Sequence, residues 1–83
     1  MEIHLSELTQ YGFVGLTELV PPVSMGQGYS TKPLIFRVEK LGMVTIGTGE
    51  RTEITVEGIG MALVEESVAE VCGRAGAAWG AIK

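Results

Sequence analysis

Over residues 33–58 apolar and polar side chains alternate with the period of a β-strand, interrupted twice by glycine-bearing turns. Leu34, Phe36 and Val38 oppose Ile35, Arg37 and Glu39. After Lys40-Leu41-Gly42, Val44 and Ile46 oppose Met43, Thr45 and Gly47. After Thr48-Gly49-Glu50-Arg51, Ile54 and Val56 oppose Glu53, Thr55 and Glu57. Successive side chains of a strand point to opposite faces, so this period belongs to a sheet with one buried and one wet face. The stretch predicts a β-meander. Ile35 and Met43 leave its outer face less polar than a free monomer needs.

The flanking segments complete the sheet and cover it. Residues 13–20, FVGLTELV, predict a further strand, with Gly15 marking a bulge or a close backbone approach. Pro21-Pro22 ends it, because proline offers no N–H to a ladder. Residues 1–12 read either as an edge strand over 2–5, with His4 facing outward, or as a helical turn opening at Ser6 and closing near Gly12. In residues 61–83, Met61, Val64, Val68, Val71, Ala75, Ala78 and Ile82 recur at helical spacing, and Cys72 and Trp79 widen the stripe. Glu66, Glu70 and Arg74 fall opposite, with Glu70 and Arg74 at the spacing of a helical ion pair. Gly73 is a natural stop, since glycine costs about 1 kcal/mol relative to alanine inside a helix. A second reading keeps residues 61–64 in strand and starts the helix near Glu65. The expected fold is α+β: a single domain, residues 1–83, with a small antiparallel sheet of about four strands covered by a C-terminal helical segment.

A domain of 83 residues buries a thin core, and such domains are commonly stapled by disulfides, a metal or association. One cysteine cannot form an intrachain disulfide, and one histidine with one cysteine supplies no zinc set. The hydrophobic fraction of 46% favours the remaining device, burial against another chain. All ten acids are glutamates, which removes Asp-dependent calcium loops. A net charge of −4 gives no basic footprint for nucleic acid. No apolar run reaches the ~20 residues of a membrane span, and the N-terminus lacks the pattern of a signal peptide. A cytoplasmic location, or one inside an intracellular or viral assembly, is the expectation.

Motifs for chemistry are sparse. Gly26-Gln27-Gly28 has neither the third glycine of a dinucleotide loop nor a following helix, and Lys32-Pro33 leads into a strand, so a small anionic ligand finds no motif. Glu53 and Glu57, four apart on one strand, stand about 13 Å apart, too far for a glycosidase pair. Cys72, on the apolar stripe, reads as a buried structural cysteine. No catalytic, cofactor or metal residues are assigned. The irregular arm at residues 21–33 supplies Met25, Gln27, Tyr29 and Lys32 as interaction candidates, and the apolar tail supplies Trp79 and Ile82. The expectation is a non-enzymatic assembly protein that self-associates or joins a larger complex, a phage or viral component being one version. The alternative is a small ligand-binding or inhibitor protein, such as a phage anti-defence factor, that recognises its target through the 21–33 loop.

Overall fold

Alternation along the chain becomes five strands and one helix in a computed structural model that describes residues 8–82, the Thr48 side chain excepted. In order these are β1 (Phe13–Val20), β2 (Ser30–Arg37), β3 (Leu41–Ile46), β4 (Thr52–Val56), β5 (Gly60–Val64) and α1 (Val68–Ile82). Short 3-10 turns at Val38–Lys40 and Thr48–Glu50 precede β3 and β4. The strands form one antiparallel sheet in the order β2-β1-β5-β4-β3.

Which face each side chain takes follows the alternation; which strand lies beside which does not. β2 pairs with β1 along its whole length, from Phe13↔Arg37 to Val20↔Ser30. The meander is β3-β4-β5, one strand later than the sequence places it, and β2 and β3 occupy opposite edges. Alternation carries no information about neighbours, which explains the error. Gly42 lies in a bulge between Leu41↔Val56 and Met43↔Thr55 rather than in a hairpin turn. Register through Gly15 is unbroken. Residues 30–33, expected in the irregular arm, belong to β2, which shortens the loop to residues 21–29.

The passage from Arg37 to Leu41 constrains the whole sheet. Four residues reach at most about 14 Å, whereas the edges of a flat five-stranded sheet stand about 19 Å apart. The sheet is therefore coiled until its edges approach, and the ladder between β1 and β5 is short, with the register pair Glu18↔Val64 and a backbone bond from Glu65 to Thr17 just beyond it. Its inner face carries Val14, Leu16, Phe36, Val38, Ile54, Val56 and Val64, all buried, against Val71, Ala75 and Ala78 of α1.

Residues 61–64 are strand, as the second reading has it, and the helix begins at Val68. Gly58 and Gly60, at φ +86° and +102°, turn β4 back into β5 in a conformation side chains resist. A capping box starts α1: the Ser67 hydroxyl accepts the Glu70 N–H at 3.1 Å, and the Glu70 carboxylate accepts the Ser67 N–H at 3.4 Å. Gly73 does not stop it, because packing of Val71, Ala75 and Ala78 outweighs local propensity. Cys72 turns out to be exposed, one position round from the buried face. At the other end a helical turn closes with Tyr11 N–H to Leu8 C=O and Gly12 N–H to Thr9 C=O, both 3.0 Å. The strand expected over 2–5, with His4, lies outside the described residues.

Candidate interaction surface

Where β5 parts from β1, side chains take over its role. Glu65 N–H donates to Thr17 C=O at 2.8 Å, the last backbone bond between the two segments. The next residue, Glu66, turns inward and accepts the Thr17 N–H at 2.9 Å and the Thr17 hydroxyl at 3.0 Å. Arg74, two turns along α1, donates to Glu66 at 3.1 Å and to Gly15 C=O at 2.9 Å. The carboxylate and guanidinium thus continue the β1 ladder and tie helix to sheet. Burial raises the Glu66 pKa, but the Thr17 and Glu66 N–H groups, the Thr17 hydroxyl and Arg74 together outweigh it, leaving the carboxyl below its ordinary range. Sequence reasoning placed Glu66 and Arg74 on a wet helix face. The signal it passed over was Ser67-x-x-Glu70, which starts the helix after Glu66 and frees that side chain to turn inward.

The six interaction candidates do not form one surface. Met25 stands fully exposed and Gln27 exposed in the β1–β2 loop. Tyr29 stacks beneath Arg51, whose guanidinium lies 4.3 Å from the ring centroid, and Lys32 faces Glu18 across the strand pair at 3.7 Å. These belong to the Val20/Ser30 end of the hairpin. Trp79 and Ile82 belong to the other end: a Cβ placed on Gly12, at φ +82°, would lie 2.6 Å from Ile82 Cγ2. Ile82 therefore ties the tail of α1 to the segment before β1 as well as presenting a partly exposed side chain. Arg51→Ala is expected to cost about 0.5–1 kcal/mol, the worth of an exposed cation–π contact. It should also speed proteolysis within residues 21–29, measured by limited digestion; an unchanged cleavage rate would show that the stack does not restrain the loop.

Two concavities border these elements. One, of about 620 Å³, is open and lies among Glu50, Arg51, Glu65, Ser67 and Glu70. Its carboxylates outnumber its one cation, a lining that disfavours anions. The other, of about 230 Å³, lies along Glu53 and residues 61–63. Among the described residues no group of His, Cys, Asp and Glu is arranged to hold a metal ion, and no helix is long and apolar enough to cross a membrane. Ile35, Met43 and Met61 are 45%, 60% and 69% exposed on three different strands, at positions alternating with core residues. Comparison with protein-family models, curated proteins and solved structures finds no match for this chain.

Proposed function

We propose that this chain is a non-enzymatic assembly protein that self-associates or docks as a small subunit of a larger complex, a phage or viral particle being one such setting. The observation that carries the reading is the outer face of the sheet. Ile35, Met43 and Met61 put large apolar side chains on it, alongside Thr45, Glu53 and Thr55, at positions where a free sheet would carry charge or hydroxyls. Support also comes from the chemistry of the side chains. Glu66, the carboxylate drawn inward, is engaged by Thr17 and Arg74 through both of its oxygens. Its lowered pKa suits a structural anion, not a proton shuttle near neutral pH.

Light scattering across the micromolar range tests the reading. A mass above that of one chain, or stable capture into a complex with a defined partner, is the expected result. A monodisperse monomer that needs no partner would overturn it. A rise in melting temperature with a nucleotide or metabolite would instead favour ligand capture.

A further inference from the structure

The two edges of the coiled sheet are built differently. β2 carries Pro33 beside Lys32 and ends at Arg37, the composition that keeps an edge from pairing further. β3 reads LGMVTI, without charge or proline. Its inward pairing is fixed by the Gly47 N–H, which donates to Arg51 C=O at 2.8 Å. In an antiparallel ladder bonded and non-bonded positions alternate. The register Thr45↔Glu53 and Met43↔Thr55 then directs the backbone of Thr45 and Met43 toward β4, and that of Val44 and Ile46 outward. Among the described residues no strand pairs with this outer edge.

We infer that β3 is the contact edge of a symmetric dimer in which β3 of a second copy of this chain pairs antiparallel with it, joining two sheets into one of ten strands. The inference rests on the assembly reading and names its surface. Unpaired N–H and C=O groups of an edge are satisfied in register by a β-strand, which fixes the kind of occupant. A second copy fits for three reasons. Its edge is equally uncharged, so no like charges meet. A two-fold axis at Thr45 sets Val44 against Ile46 of the other chain in both directions, using the outward-facing backbone groups. The assembly also closes: once the two β3 edges are joined, the edges left outside among the described residues are the guarded β2 strands, so pairing stops at two copies and does not run on into a fibre.

The register makes a covalent test available. With Thr45 opposite its own copy at a non-hydrogen-bonded position, the two Cα atoms stand about 4.5 Å apart, inside the disulfide range of about 4.4–6.8 Å. Exposed Cys72 is first removed as Cys72→Ser. In that background Thr45→Cys should give a covalent dimer on mild oxidation, while Met61→Cys on the outer face forms no covalent link between copies. Ile46→Pro removes one outward N–H without touching the β4 ladder. It should abolish association by light scattering and leave the circular dichroism spectrum unchanged. If the wild type associates but Met61→Cys cross-links and Thr45→Cys does not, the sheets pack face to face. The edge inference then fails while the assembly reading stands. If the wild type is a monomer that docks only on a different protein, the dimer is overturned and the subunit reading survives. A partner-free monomer overturns both.

Discussion

Glu66→Ala should lower the stability of the fold by about 2–3 kcal/mol, read from urea denaturation. The substitution strands the Thr17 N–H, the Thr17 hydroxyl and the Arg74 guanidinium, all of which donate to this carboxylate. A buried donor left without an acceptor costs about 1–3 kcal/mol. Breaking a fully buried ion pair would cost about 3–5 kcal/mol, but the Arg74 side chain is 42% exposed and recovers hydration, so the ionic part is discounted. For a chain of this length the loss corresponds to a fall in Tm of roughly 10–20 °C. Glu66→Gln, which keeps one acceptor oxygen and loses the charge, should fall between wild type and Glu66→Ala. A change below about 0.5 kcal/mol, the scatter of ordinary surface substitutions, would mean that water replaces the carboxylate and the staple contributes little.

The same group gives the stability its pH dependence. Burial raises the Glu66 pKa but the donors around it lower it by more, so the folded-state value lies below the unfolded one. The unfolded chain then binds the proton first as pH falls. The stabilisation is complete above the ordinary glutamate pKa and is lost as pH drops through the folded value. Denaturation midpoints of the wild type should therefore fall on acidification below the ordinary carboxylate range, and those of Glu66→Gln should fall less over the same interval. Parallel curves for the two proteins would assign the acid sensitivity to other carboxylates.

How much of this was legible in the residues depends on the kind of interaction. Facing was legible: Leu34, Phe36, Val44, Ile54 and Val56 all point to the core side the alternation assigns, because that period is local and backbone geometry enforces it. Pairing was not, because Arg37 and Leu41 lie close in sequence whether β3 joins β2 or the far edge; the choice is made by coiling of the sheet over α1. The interaction candidates were selected by residue type, and the fold sends them to two ends of the hairpin. Glu66 was the least legible: its partners Thr17 and Arg74 are 49 and 8 residues away, and nothing in local spacing announces them. The capping box at Ser67 and Glu70 was readable and would have corrected the helix start.

Replacing Gly73 and Gly76 together by alanine should stabilise the chain by about 2 kcal/mol, since each glycine costs about 1 kcal/mol relative to alanine in a helix interior. Both lie well inside α1, and a Cβ added at either meets nothing within 4 Å. Part of the gain comes from the unfolded chain, which loses conformational freedom when glycine becomes alanine. Gly80, near the end of the helix, should add less, because helix ends fray. A gain of this size corresponds to a rise in Tm of roughly 8–16 °C. The double variant should also keep the mass of the wild type by light scattering if association runs through β3, since these positions lie on the outer side of α1. Full stabilisation with unchanged mass would leave the glycines without a role in association. Stabilisation accompanied by loss of association would mean that another backbone comes close to α1 at these positions, and that β3 is not the edge holding the copies together.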